Sequence, residues 1–197
     1  MKNVALTGSV AAGKTTVGGL FRAWGATVID VDTLVHEMQR PGEPVFNAMV
    51  AAFGSSILDL HGQLDRAALR RRILADPGER RRLEAIVHPA VERRRQELLA
   101  AACARGDVTV ITDIPLLFEA GDPNAYDGVI VVDAPAATRR ERLMQSRGFD
   151  AHEADQLIAL QLPAEQKRAR ARWVIDNYGD RELLARRTHE VWEALQH

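Results

Sequence analysis

Eight consecutive residues, Gly8-Ser9-Val10-Ala11-Ala12-Gly13-Lys14-Thr15, satisfy the pattern G-x-x-x-x-G-K-[ST] at every fixed position. The chemistry that this spacing serves is the binding of a nucleoside triphosphate. Glycine and other small residues let the backbone wrap so that successive N–H groups point at phosphate oxygens. A helix opening at Lys14 aims the positive end of its dipole at the same place. Lys14 can then reach the β- and γ-phosphates, and the Thr15 hydroxyl can ligate Mg²⁺. The cradle so defined runs over Ala11, Ala12, Gly13, Lys14, Thr15 and Thr16. The competing reading, a glycine turn followed by an exposed lysine, does not need the strand–turn–helix context in which the motif sits.

Phosphoryl transfer to a small acceptor also needs a carboxylate to take or orient the acceptor's hydroxyl proton. It needs cations around the moving group as well, and a part that closes over it. Asp30 and Asp32 stand just past the segment Thr27-Val28-Ile29. Asp32 is a candidate base, or else the cap of a helix starting near Thr33. Asp113 ends the run Val108-Thr109-Val110-Ile111-Thr112, where a carboxylate commonly holds the metal, and where it could equally cap the turn before Pro115. Arginines gather at Arg139, Arg140, Arg142 and Arg147, with Arg139 and Arg142 on one face at helical spacing. An arginine donated by a lid neutralises developing phosphoryl charge; otherwise such a cluster, like Lys167, Arg168, Arg170 and Arg172, is a solvated face. Between residues 65 and 95 ten arginines face five acids, a local excess of +5 in a chain of net charge −1. That asymmetry points to an acceptor bearing phosphates of its own.

Other classes fit less well. The guanine-reading segment Asn-Lys-x-Asp is absent, and Asp59-Leu60-His61-Gly62 meets only a loose Asp-x-x-Gly pattern. A motor or oligomeric ATPase needs more chain than 197 residues. The rivals are a kinase of another small hydroxyl acceptor, such as a nucleoside monophosphate or a shikimate-like acid, and a non-catalytic nucleotide-binding regulator. The near-zero net charge gives no global field for nucleic acid or an anionic membrane. One cysteine, Cys103, makes an internal disulfide impossible and suits a reducing compartment. The first residues lack the shape of a secretory signal, and the longest apolar run, residues 98–104, is too short to cross a bilayer. The expectation is a cytoplasmic protein, and, with no large apolar stripe left over, a monomer.

The elements that must hold these residues alternate short apolar runs with longer helical periodicity, the mark of a parallel sheet covered by helices. Strands are expected at residues 4–6, 27–29, 108–112, 129–132 and 173–175, with a helix over 14–24 closed by Gly25. Ligands of such sheets bind at the carboxyl edge. Two helical stretches interrupt the alternation. The first, about 65–105, has breaks near Asp76-Pro77-Gly78 and His88-Pro89; the second, about 136–171, breaks at Gly148. They read as an acceptor-holding insertion and a lid.

Taken together, several segments resemble the dephospho-coenzyme A kinase family over nearly the whole chain. They are Leu6-Thr7-Gly8 with the phosphate loop, Ile29-Asp30-Val31-Asp32, Arg40-Pro41-Gly42, Phe53-Gly54 and residues 62–66. Residues 83–89, ending in His88-Pro89, follow, then Asp113-Ile114-Pro115-Leu116-Leu117-Phe118-Glu119, Arg142-Leu143, Gln161 and Asn177. The resemblance implies ATP-dependent phosphorylation of the ribose 3′-hydroxyl of dephospho-coenzyme A, with ATP and Mg²⁺ required. It also implies a three-layer P-loop fold with a five-stranded parallel sheet. The core falls at about 1–31, 105–135 and 172–197, the helical acceptor insertion at about 32–104 and the lid at about 136–171. Carried over by position, Asp32 is the catalytic carboxylate, Lys14 the phosphate lysine and Arg142 the lid arginine. Arg66, His88, Asp113 and Pro115 fall on the acceptor side, and Asn177 near the adenine. Ser9 and Ala11 depart from the family pattern where glycine often stands, and Arg172-Trp173 replaces the usual Ala-Asp before the fifth strand.

Overall fold

The computed structural model describes the backbone of all 197 residues and every side chain except that of Arg147. In chain order the elements begin with β1 (Lys2–Gly8), α1 (Lys14–Ala23), β2 (Thr27–Asp30), α2 (Val31–Met38) and α3 (Pro44–Phe53). Next come α4 (Arg66–Ala75), α5 (Pro77–Arg105), β3 (Thr109–Asp113), α6 (Leu117–Ala120) and β4 (Val129–Asp133). The chain closes with α7 (Ala136–Arg147), α8 (Ala151–Ala159), α9 (Ala164–Ala169), β5 (Trp173–Asp176) and α10 (Arg181–Gln196). Two compact units emerge, residues 1–30 with 101–197, and residues 31–100.

The first unit is built on five parallel strands in the order β2-β3-β1-β4-β5. The inner strands are buried on both faces, and alternate residues serve opposite layers, as a period of two demands. Val4 and Leu6 of β1, with Ile130 and Val132 of β4, pack with Val17 and Phe21 of α1 and with Leu184, Val191 and Leu195 of α10. Ala5, Val129 and Val131 face the other way, onto Leu117 and Phe118 of α6. Helices on both faces give the three layers expected. Each fully buried Leu, Ile, Val or Phe contributes ~1.5–3 kcal/mol, so the sheet centre is the stiffest place available for a site. Register places Leu6 beside Asp113, Asp113 beside Asp30, Gly8 beside Val132 and Asp133 beside Asp176. The carboxyl edge therefore carries a row of acids on either side of the phosphate loop.

The second unit packs α2, α3, α4 and most of α5 around Val45, Met49, Phe53, Ile57, Leu69, Val87 and Ala90. Asp65 caps α4 by accepting from the Ala68 amide at 2.9 Å. The break at Asp76-Pro77-Gly78 is present, with Pro77 opening α5 where its missing N–H costs nothing. The break at His88-Pro89 is not: α5 runs unbroken through Pro89. Val87 and Ala90 are buried on the core side while Pro89 is exposed, so packing on either side of the proline outweighs the hydrogen bond it removes. The second helical stretch breaks twice rather than once, after Gly148 and again before Pro163. Among the described residues no helix is long and apolar enough to cross a membrane.

Candidate active site

The phosphate loop leaves the buried end of β1 and enters α1. At Gly8 a Cβ would lie 2.3 Å from the Val132 carbonyl oxygen, so only glycine lets the chain pass β4 there. Gly13 has φ 101°, and a Cβ on it would lie 2.2 Å from Asn177 Nδ2. Ala11, standing where glycine is common, adopts φ 57°, a left-handed conformation that disfavours any side chain. Backbone of this kind persists only when its surroundings over-determine it. They do so here. Asn177 Nδ2 donates to the Ala12 carbonyl at 2.7 Å, and Arg142 Nη1 donates to the Ala11 carbonyl at 3.1 Å and the Ala12 carbonyl at 3.4 Å. The Ala12 amide closes a turn onto the Ser9 carbonyl at 3.0 Å. The amides of Lys14 and Thr15, in the first turn of α1, have no partner within the helix.

Lys14 Nζ lies 2.7 Å from Asp113 Oδ1, and both side chains are largely shielded, at 16% and 11% exposure. Asp113 sits at the sheet edge against Lys14. The turn that follows is fastened to β1: the Ile114 amide donates to the Leu6 carbonyl at 2.9 Å, and Thr7 Oγ1 to the Pro115 carbonyl at 3.3 Å. Thr15 and Thr16 are exposed in the first turn of α1. Beside them a cavity of about 260 Å³ is lined by Gly13, Thr16, Arg142, Asn177, Arg181 and Leu184.

Among the described side chains of the arginine cluster, only Arg142 bonds the loop. Arg139 is buried and donates through Nε to the Ala134 carbonyl at 3.0 Å; burial pushes its guanidinium below the ordinary value, against the opposing pull of Asp133 and Glu165. Arg140 pairs with Asp155 of α8 at 2.9 Å. The side chain of Arg147 lies outside the described residues. The later basic run is a solvated face only in part, at Arg170 and Arg172, which are exposed. Lys167 is fully buried, 2.7 Å from Glu119. Arg168 bridges the strand ends, 2.5 Å from Asp176 and 3.1 Å from Asp133, and the Asp176 bond holds its guanidinium above the ordinary value. Arg170 stacks on Phe118 and Arg172 on Trp173. Nothing in the composition near Lys167 marks it as buried; its burial comes from tertiary packing against Glu119.

In the helical unit Asp32 is exposed at the second residue of α2. The helix starts at Val31, immediately after β2, so Asp32 lies in its first turn and is not the cap of a helix beginning near Thr33. His36 Nδ1 meets the Asp32 carbonyl at 2.8 Å, leaving that contact on the backbone and not on the carboxylate. Arg66 Nη1 donates to Oε1 of the buried Gln39 at 2.9 Å, and His88 is exposed on α5. Part of the arginine excess is structural. Arg72 bonds the Phe53 carbonyl at 2.8 Å and pairs with Glu79 at 2.9 Å, and Arg95 pairs with Glu92 at 2.6 Å. A cavity of about 560 Å³ opens between α2, α3 and α5, with Leu34, Met38 and Val45 on its apolar side and a mixed charged lining of Arg40, Arg93 and Arg94 with Glu37, Glu43 and Glu97.

The sequence model of the dephospho-CoA kinase family matches residues 2–182. The chain belongs to this family. It is 45% identical over 185 residues to the dephospho-CoA kinase of Anaeromyxobacter dehalogenans, covering 94% of this chain and 88% of that one. To the dephospho-CoA kinase of Thermobifida fusca it is 43% identical over 196 residues, covering 100% and 97%. Among solved structures, TT1252 from Thermus thermophilus superposes with a TM-score of 0.87 at 34% identity, over 98% of this chain and 96% of the other. The dephospho-CoA kinase from Campylobacter jejuni gives 0.72 at 21% identity, over 98% and 96%, which speaks for the fold. In family terms the structure gathers Lys14, Asp113, Arg142 and Asn177 around one loop, and it places Asp32, Arg66 and His88 in the helical unit. Gln161, Glu119 and Lys167 were not among the expected site residues. The first two stand in family segments, which was the one signal available.

Proposed function

We propose that the chain transfers the γ-phosphoryl group of ATP to the ribose 3′-hydroxyl of dephospho-coenzyme A, releasing coenzyme A and ADP. The observation that carries this reading is the phosphate loop, pinned on its outer side by Arg142 and Asn177 and fitted with Lys14, in a chain of this family. The first-turn amides of α1 and the Lys14 ammonium take the β- and γ-phosphates. Asp113 holds Lys14 at the sheet edge until nucleotide arrives. The cavity beside Asn177 and Arg181 receives the nucleoside, whose adenine lies against Asn177. Arg142, bound to the loop in this state, borders the phosphates and counters charge as transfer proceeds.

Among the described residues no cluster of three or more acids, histidines or cysteines forms a cation cage. Mg²⁺ keeps several waters and leans on substrate phosphates with one or two protein oxygens, a demand that a hydroxyl and a carboxylate at the loop can meet. Thr15 Oγ and the Asp113 carboxylate would hold it; when bound, the ion neutralises charge between the β- and γ-oxygens. On the acceptor side Asp32 takes the 3′-hydroxyl proton, or orients the hydroxyl for in-line attack. Arg66, His88 and the turn at Pro115 bear on the acceptor. The cleft has an apolar wall for a long, partly apolar substrate, and Arg40, Arg93 and Arg94, set among Glu37, Glu43 and Glu97, are the groups in it that would meet a pyrophosphate.

The direct test is ADP release from Mg·ATP with and without dephospho-coenzyme A, together with the product's mass. Acceptor-dependent release and one added phosphoryl group are expected. Release without the acceptor, or none with it, would contradict the reading.

A further inference from the structure

Between α8 and α9 the chain passes close to the phosphate loop, and one residue of that passage touches it. Gln161 Oε1 accepts a hydrogen bond from the Val10 amide at 2.7 Å. Val10 is the residue before Ala11, the non-glycine residue held at φ 57°. This grip falls on the side of Ala11 opposite to the one that Arg142 and Asn177 hold, since they bond the carbonyls of Ala11 and Ala12. A left-handed alanine costs roughly 1 kcal/mol or more, and it persists only where its neighbours are fixed on both sides.

Gln161 is itself fixed from beneath. Glu119 Oε1 accepts from the amide of Leu162, the next residue, at 3.2 Å, and the same oxygen lies 2.7 Å from Lys167 Nζ. Lys167 has 0% side-chain exposure and Glu119 18%. Glu119 Oε2, equally shut from solvent, has no hydrogen-bond partner among the described residues. A buried pair of this kind is a poor source of stability compared with well-packed apolar side chains. It is a good source of position, because each charge must stay where the other is. The pair ties α6, which follows Asp113-Ile114-Pro115, to α9, and it fixes the chain just after Gln161, at Leu162 and Lys167.

We propose that Glu119, Lys167 and Gln161 form a strap that positions the phosphate loop for ATP. Glu119 and Lys167 act through Gln161, and none of the three meets the reacting atoms. The strap keeps the Val10 amide directed outward, so the strained turn at Ala11 presents the amides of Gly13, Lys14 and Thr15 in one geometry. Loss of the strap therefore weakens the hold on ATP phosphates and leaves the acceptor's binding alone.

The test rests on ATP occupying the loop, and it compares the full-length wild type with Gln161→Met, Lys167→Met and the double variant. Methionine keeps the length of glutamine and removes the acceptor oxygen. In Gln161→Met the ATP dissociation constant, measured by calorimetry, and the ATP KM should rise about tenfold, which is ~1.4 kcal/mol. The KM for dephospho-coenzyme A should stay within about twofold. Lys167→Met should show the same split, and the double variant should be no worse than the worse single, since both act through one contact. Should Lys167→Met fail to fold, Glu119→Gln/Lys167→Met removes both charges together and takes its place. A wild-type ATP dissociation constant in Gln161→Met would overturn the proposal outright, whatever the Lys167 variants do. So would effects that multiply in the double variant, which mark two independent structural roles. A wild type that binds no ATP would instead remove the nucleotide assignment on which the strap depends.

Discussion

The nucleotide-binding unit and the helical unit carry their functional groups in opposite ways. In the first, polar groups at the site are held by other polar groups. Asn177 and Arg142 grip backbone carbonyls, Asp113 holds Lys14, and Arg168 ties Asp133 to Asp176. In the second, Arg66 is held this way, by Gln39, but Asp32 and His88 are exposed, and the cavity's charged lining mixes Arg40, Arg93 and Arg94 with Glu37, Glu43 and Glu97. A phosphate cradle must present its donors before ligand arrives, because electrostatic stabilisation depends on dipoles that need not reorganise. A site for a long, flexible acceptor gains less from rigidity and more from reach. Substitutions in the two units should therefore differ in kind: loss of ATP handling in one, and graded loss of acceptor binding or of fold stability in the other.

The largest expected break is Lys14→Met. Turnover should fall on the order of 10³-fold, because a charge aimed at the developing phosphoryl oxygens is lost while the sheet beneath stays intact. Steady-state rates alongside an unchanged circular dichroism spectrum would check it. Met49→Ala strikes the helical unit at a fully buried position and should cost about 3 kcal/mol by the cavity it leaves. Denaturant unfolding measures that, and ATP affinity in the folded fraction should be spared. Arg142→Ala removes hydrogen bonds to two loop carbonyls and should raise the ATP KM roughly tenfold or more, with a smaller effect on the acceptor's KM. The smallest effect is expected on the surface of α5. Arg80 sits 2.8 Å from Glu84, and that hydrogen bond holds the Glu84 carboxyl below its ordinary value. Glu84→Gln should cost only about 0.3–0.5 kcal/mol. A carboxyl with a lowered pKa stabilises the fold at neutral pH and stops doing so as pH falls through that lowered value. Wild type and Glu84→Gln should therefore differ slightly at pH 7 and converge on acidification, as thermal melts would show.

The sheet and the phosphate loop were legible because each rests on a local pattern: apolar runs of strand length, and a loop whose spacing is dictated by phosphate geometry. The order β2-β3-β1-β4-β5 was not, since strand order depends on crossovers that no single segment encodes. Pro89 misled because a proline's local cost was weighed without Val87 and Ala90, which pack on either side of it. Asp32 emerged as a candidate from its position after a strand, but its place inside α2 depended on the helix starting directly at Val31. Lys167 was invisible. A buried lysine reads like an exposed one until its carboxylate, Glu119, is found 48 positions away in the chain and 2.7 Å away in space. Arg142 was named as a site residue by resemblance, whereas its grip on the Ala11 and Ala12 carbonyls required coordinates.

The proposed mechanism divides the labour between a nucleotide half whose cradle is complete by itself and a carboxylate in the helical half that acts on the acceptor. Asp32→Asn tests it most directly, with ATP binding followed by calorimetry and turnover by ADP release on one preparation. The account predicts an ATP dissociation constant within about twofold of wild type and turnover lower by roughly 10² to 10⁴. Near-wild-type turnover, or a loss of ATP affinity that matches the loss of rate, would contradict it.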